Sequence, residues 1–240
     1  MIGLGPVTRN RQTPCAALQP ALAVWLTAMP PAGLAPIVPV APSQPEDHVL
    51  QRALEVLRGG GVVVLPTDTL YGIACAFANP QGVARIATMR NFDPNRRPLA
   101  FLLPDIGELP KFARVNDAAL SVLRKIFPGP YCAEVNAGPL VPGPFLHDEL
   151  RTIGVRVPGT ALCEKITWSL GMPLLSATAK SPSGDLLTGA AEIRREYGRS
   201  VDLILDAGEL SGPPATVVSF AGDKIVVLRE GRGPRILTEG

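Results

Sequence analysis

Histidine is almost missing from this 240-residue chain, which has only His48 and His147. Its four cysteines, Cys15, Cys75, Cys132 and Cys163, are far apart and form no CxxC pair. A structural zinc site needs closely grouped thiolates and imidazoles, so the composition argues against one. Three of the cysteines lie in apolar stretches and read as small reduced core residues, which fits a reducing compartment. Charged residues make up only 18% and apolar residues 46%, a balance that excludes a disordered chain and fits a globular protein with a sizeable core. The formal charge of +2 says little about partners, so nucleic-acid binding would need a local basic face. No GxGxxG follows a strand and no GxxxxGKS/T occurs, which argues against a Rossmann dinucleotide site and a P-loop. His147-Asp148 has no GxSxG partner, which argues against a serine hydrolase.

Residues 1–33 lack acidic residues and serine, and carry Arg9 and Arg11. Their apolar run Ala21-Leu22-Ala23-Val24-Trp25-Leu26 is shorter than the roughly 20 apolar residues a bilayer span takes. The stretch reads as an N-terminal extension, either a transit peptide or a disordered segment. A transit peptide would direct the chain to a plastid or mitochondrion, and otherwise the cytoplasm is expected. No membrane association is expected.

The remaining chain alternates strand and helix signals. Ile37-Val38-Pro39-Val40 suits an edge strand, because Pro39 lacks a ladder donor. Pro45 starts a helix with Val49, Leu50, Ala53, Leu54 and Leu57 on one face, stopped by Gly59. Val62–Leu65 reads as a buried strand, and Asn79-Pro80 as the N-cap and first residue of a helix. Leu99–Leu103 is a strand, and Asn116 caps a helix that ends at Pro128-Gly129-Pro130. Then come strand Thr152–Val157, helix Ala161–Leu170, strand Leu174–Ser176 and a helix capped by Thr188. Strands over Val201–Leu205, Thr216–Phe220 and Lys224–Leu228 close the pattern. Such alternation of apolar strands with helices predicts one α/β domain over residues 34–235, with a short tail at 236–240.

Four clusters could carry chemistry. Thr67-Asp68-Thr69-Leu70-Tyr71-Gly72 sets four polar side chains at a strand's mouth, suited to a small polar ligand or simply to a turn that satisfies its own backbone. Arg85, Arg90, Arg96 and Arg97 surround the lone acid Asp93, and arginine forks suit phosphate oxygens as well as a solvated helix end. Ser176-Ala177-Thr178-Ala179-Lys180-Ser181-Pro182-Ser183-Gly184 is a hydroxyl-rich loop after a short strand, suited to a phosphate or carboxylate ligand or simply an ordinary connection. Arg229-Glu230-Gly231-Arg232-Gly233 follows the last strand, as a phosphate contact or a frayed end.

In order and spacing these motifs resemble the YrdC-like family, the threonylcarbamoyl-AMP synthases and their YciO-type relatives. Thr67-Asp68-Thr69-Leu70-Tyr71-Gly72 resembles PTDTxYG, Pro128-Gly129-Pro130 the PGP turn, and Thr152-Ile153-Gly154-Val155-Arg156-Val157-Pro158 the TxGxRxP strand. Pro173-Leu174-Leu175-Ser176-Ala177 is similar to the start of PLxxxSAN, and Thr216-Val217-Val218 and Arg229-Glu230-Gly231 to the closing elements. The edge strand and opening helix look most like the YciO-type branch. The resemblance implies a twisted mixed sheet flanked by helices, with a concave basic face. It implies synthesis of threonylcarbamoyl-AMP from L-threonine, bicarbonate and ATP, for modification of tRNA. Thr67, Thr69, Tyr71 and Arg156 would then lie near threonine, and Arg90, Ser176, Thr178 and Arg229 near the nucleotide, with Arg96 and Arg97 as further phosphate ligands. Mg²⁺ would travel on the phosphates without a protein cage. The catalytic residues themselves are not identified by the motifs. The chain departs from the synthases at Arg90-Asn91-Phe92, where they have KxR, at Ser176-Ala177-Thr178, where they have SxN, and at Cys132 and Ala215. Those departures leave a second reading, a YciO-type protein that binds nucleotide or double-stranded, structured RNA without turnover.

Overall fold

The computed structural model describes residues 33–236 apart from 92, 94–98, 148 and 223. Nearly all of the N-terminal extension, and both Arg96 and Arg97, therefore lie outside the described residues.

Strand β1 (Ile37–Pro39) precedes α1 (Asp47–Arg58), which buries Val49, Leu50, Ala53, Leu54 and Leu57 along one stripe and stops at Gly59. Strands β2 (Val62–Pro66) and β3 (Tyr71–Ala76) are buried over their whole length. Asn79 caps α2 (Pro80–Met89), its side chain accepting from the Gly82 N–H at 2.9 Å. Strand β4 (Ala100–Leu102), the short α3 (Leu109–Phe112) and β5 (Ala113–Arg114) lead to α4 (Asp117–Ile126), capped in the same way by Asn116. Then follow β6 (Tyr131–Ala137), β7 (Thr152–Arg156), α5 (Ala161–Leu170) and β8 (Leu174–Thr178). Helix α6 (Ala190–Tyr197) and strands β9 (Leu203–Asp206), β10 (Thr216–Ser219) and β11 (Val226–Arg229) complete the chain.

The strands form one mixed sheet in the order β1-β9-β2-β3-β8-β4-β7-β6-β10-β11, with β5 pairing on β6. Side chains alternate between its two faces. Val62, Val64, Ile73, Phe101, Val155 and Ile204 join α2, α4 and α6 in one core, through Ile86, Leu123 and Ile193 among others. Val63, Leu65, Ala74, Leu102, Leu174 and Leu203 join α1 and α5 in a second core on the opposite face. The molecule is thus a single α/β domain, a mixed sheet flanked by helices.

Three details differ from the sequence reading. Strand β3 follows the Thr67–Leu70 turn directly, so the motif closes an antiparallel hairpin with Leu65 opposite Gly72. Strand β6 follows the Pro-Gly-Pro turn, its polar Glu134 and Asn136 alternating with buried Ala133 and Val135. Thr188 does not cap α6. Gly189 holds that position, and the Thr188 N–H donates to the Glu192 carboxylate at 3.1 Å.

Candidate ligand cavity

Beyond α5, the face that carries the second core opens into a cavity of about 320 Å³. Leu102 marks the border, since it belongs to that core and also lines the cavity. Strand register brings the other walls together: Gly72 opposite Thr178, Ala100 opposite Ser176, Leu102 opposite Arg156, and Cys132 opposite Val217. Arg229 pairs with Val217 at the next strand. Short side chains keep the floor low. Gly72 leaves room for the Ser176 hydroxyl, since a Cβ at that position would stand 2.7 Å from it and make it turn away.

Arg90, Arg156 and Arg229 all line the cavity, and no carboxylate does among the described residues. Arg156 Nη2 donates to Asp68 Oδ1 at 2.7 Å and to Thr69 Oγ1 at 3.3 Å. The other Asp68 oxygen accepts from the Gly159 N–H at 3.1 Å. Both members of this ion pair are nearly buried, with side chains 11% and 12% exposed, so Asp68 holds the guanidinium in one orientation. The Arg156 Nε is buried without a partner among the described residues, as is the Arg90 Nε. Arg90 Nη1 donates to the carbonyls of Lys180 and Ser181, at 3.1 and 3.2 Å, and so braces the hydroxyl-rich loop after β8. Tyr197 reaches the same Lys180 carbonyl at 2.8 Å. Arg229 Nη2 donates to the Ala215 carbonyl at 2.9 Å.

The hydroxyls divide into two groups. Thr69, Ser176 and Thr178 line the cavity, and Ser176 is only 7% exposed, with no hydrogen-bond partner among the described residues. Thr67 does not line it. Its Oγ1 donates to the Leu70 carbonyl at 2.7 Å and accepts from the N–H groups of Thr69 and Leu70. Tyr71 does line the cavity, but its hydroxyl is engaged elsewhere, donating to the Gly208 carbonyl at 2.7 Å and accepting from the Ala207 N–H. Burial pushes the Tyr71 phenol up to about 12, with Asp206 adding to the rise. Thr67 and Tyr71 are therefore braces of the hairpin, while Thr69 and Arg156 face the ligand space.

Cys75 and Cys163 are buried core thiols, whereas Cys132, one of the positions where the chain departs from the synthases, is half-buried on the cavity floor. Burial raises its thiol's pKa, while Arg156 and Arg229 pull it back and Glu134 adds to the rise. The sequence reading also left out the role of Asp68 in aiming Arg156. The acid stood in plain view beside two threonines, but its partner is 88 residues away. Among the described residues no group of three His, Cys, Asp or Glu side chains could hold a metal ion. No described helix is long and apolar enough to cross a membrane.

Residues 55–231 match the family model Sua5_yciO_yrdC, described as Telomere recombination. The chain belongs to the Sua5/YciO/YrdC family. It is 30% identical to YciO of Escherichia coli over 195 residues, 81% of this chain and 94% of YciO. The crystal structure of E. coli YciO superposes with a TM-score of 0.79, covering 84% of this chain and 98% of that one. A putative threonylcarbamoyl-AMP synthase of Methanocaldococcus jannaschii is 29% identical over 184 residues, 76% of this chain and 86% of that protein. Sua5 of P. abyssi complexed with L-threonine shares the fold at a TM-score of 0.72 and 23% identity, over 82% of this chain and 58% of Sua5. The Sua5/YciO/YrdC domain thus includes threonylcarbamoyl-AMP synthases alongside YciO.

Proposed function

We propose that this protein is a threonylcarbamoyl-AMP synthase-like nucleotidyltransferase, which joins L-threonine, bicarbonate and ATP into threonylcarbamoyl-AMP and pyrophosphate for tRNA modification. One observation carries the reading: three arginines converge on a cavity whose described lining has hydroxyls but no carboxylate. Such a lining attracts an anion and gives a phosphate-bearing ligand both charge and hydrogen bonds. The L-threonine bound by P. abyssi Sua5 on the same fold supports an amino acid as the second ligand.

In this reading Arg156 and Thr69 hold the threonine end, and Arg229, Ser176 and Thr178 hold the nucleotide. The threonine amine takes the carboxyl group of bicarbonate and releases water, giving a carbamate whose oxygen attacks the α-phosphorus as pyrophosphate leaves. No side chain has to form a covalent bond. The protein's contribution is to place the carbamate in line with the phosphorus and to neutralise charge that builds on the phosphoryl oxygens. Mg²⁺ would enter on the phosphates, shielding them as the arginines do from the other side. Arg90 acts at one remove, fixing the loop that follows Ser176 and Thr178.

A second reading, nucleotide or structured-RNA binding without turnover, is favoured by the same Arg90. Its Nη1 is committed to two carbonyls, where a synthase's KxR motif offers phosphate contacts. Titration calorimetry separates the possibilities at the binding level. The proposal predicts saturable binding of ATP–Mg²⁺ and of L-threonine, with Arg156→Ala weakening threonine by about tenfold or more, as expected for loss of a charge-assisted contact. Binding of nucleotide without threonine supports the second reading, and binding of neither rejects the cavity as the site.

A further inference from the structure

The segment after β11 is not a frayed end. Arg232 N–H donates to the Pro214 carbonyl at 2.8 Å, Thr216 Oγ1 donates to the Gly233 carbonyl at 2.7 Å, and the Tyr131 hydroxyl donates to the Pro234 carbonyl at 2.8 Å. Gly233 lies so close to the Tyr131 ring that a Cβ there would stand 2.5 Å from it. The backbone of this strap is therefore fixed, while the Arg232 side chain runs out along the exposed surface. Its guanidinium reaches two carbonyls from distant parts of the chain, Ser211 through Nη2 and Asp68 through Nη1 at 3.1 Å.

Asp68 is a junction. Its backbone carbonyl takes Arg232, one carboxylate oxygen takes Arg156, and the other takes the Gly159 N–H. Three separate elements thus meet on a single residue of the hairpin turn: the end of β7, the turn after it, and the C-terminal strap. Of these, only Arg156 lines the cavity. The carboxylate can hold Arg156 in one pose only if the Asp68 backbone is itself fixed. Within the turn, Thr67 closes on Leu70 through its N–H and its hydroxyl, and Thr67 Oγ1 takes the Thr69 and Leu70 N–H groups, but among the described residues none of the turn's own groups bonds the Asp68 carbonyl. Arg232 supplies that bond from outside.

We propose that Arg232 is a positioning residue: it pins the Asp68 peptide, and through the Asp68 carboxylate it aims Arg156 into the cavity. The strap carries Arg229 to the cavity wall and, three residues later, secures the facing loop. The inference rests on the proposed function only for the ligand that reports on Arg156. It is independent of that function for the turn itself.

The test uses the full-length protein, Arg232→Ala, Arg232→Lys and Asp68→Asn. Since Arg232 is exposed, both Arg232 variants are expected to keep the wild-type melting temperature. Amide hydrogen exchange at Thr69 and Leu70 should quicken by about fivefold or more in Arg232→Ala and recover in part in Arg232→Lys, while β2 amides stay unchanged. Unchanged exchange at the turn, or quickening across the whole sheet, overturns the proposal. In calorimetry, Arg232→Ala should weaken L-threonine several-fold in the wild-type background and cause no further loss in Asp68→Asn. Additive losses would mean that Arg232 does not act through Asp68. A wild-type protein that binds no threonine refutes the ligand assignment, and the exchange result still decides the role of Arg232.

Discussion

Ser176 offers the cavity a hydroxyl that the protein does not use. The residue is 7% exposed and its hydroxyl has no partner among the described residues. The oxygen is not one of the buried unpaired atoms, so it opens on the cavity, where water or a ligand can complete its hydrogen bonds. Ser176→Ala should therefore leave the melting temperature unchanged or slightly higher. It should weaken ATP about two- to twelvefold in calorimetry, the range of a neutral hydrogen bond. Unchanged affinity would place the nucleotide elsewhere. Cys132 reports on the same space. A thiol pKa raised by burial leaves less thiolate at any given pH, so iodoacetamide at pH 8 should label Cys132 more slowly than a free cysteine. The rate should climb as the pH rises, and saturating ATP–Mg²⁺ should slow it further. Fast labelling without protection, read by peptide mass spectrometry, would contradict this geometry. At this scale the sequence motif names residues that gather around one cavity, but not which of them line it and which brace it. Thr67 and Tyr71 stand beside Thr69 in the motif, and only the partners of their hydroxyls show that these two groups brace the hairpin. One set lies within the turn and the other about 136 residues away.

Among the elements, the helices were readable because their signals are local. Asn79 and Asn116 cap the helices they precede, and Gly171 ends α5 in the left-handed conformation that glycine tolerates, with φ of 72°. The apolar stripe of α1 was equally plain, and it closes the second core. Leu57 lies at the end of that stripe and is fully buried. Leu57→Ala should cost about 2–5 kcal/mol of unfolding free energy in urea titration, by lost transfer energy and the cavity left behind. Ligand affinity should hardly change, because α1 does not line the cavity. Loss of binding at full stability would mean that α1 shapes the site. Strand β6 carries a readable alternation of Glu134 and Asn136 with Ala133 and Val135 that the sequence reading passed over, but β3 was not readable. The β3 sequence Tyr-Gly-Ile-Ala-Cys-Ala is buried on both faces, so it lacks the alternation that betrays a half-buried strand. Nothing local announces that Gly72 must sit beside Ser176, which joins it only through pairing of β3 with β8.

For the whole molecule, the site is a product of topology. The helices α1 and α5 cover one face of the sheet over β2, β3 and β8, and the cavity opens where β4, β7, β6 and β10 continue that face. Arg90, Arg156 and Arg229 come from the end of α2 and from two strands, and only the folded sheet makes them one cationic wall. The family resemblance carried that information when the residues alone could not, since each cluster also suited an ordinary turn or a solvated helix end. The central claim is that this wall serves synthesis as well as binding. It is tested by incubating the full-length protein with ATP, L-threonine, Mg²⁺ and ¹⁴C-bicarbonate, and following both pyrophosphate and labelled adenylate. The account predicts pyrophosphate that requires threonine and bicarbonate together, with the label recovered in threonylcarbamoyl-AMP and the yield falling at least about tenfold in Arg156→Ala. Bound ATP with neither pyrophosphate nor labelled adenylate would contradict it.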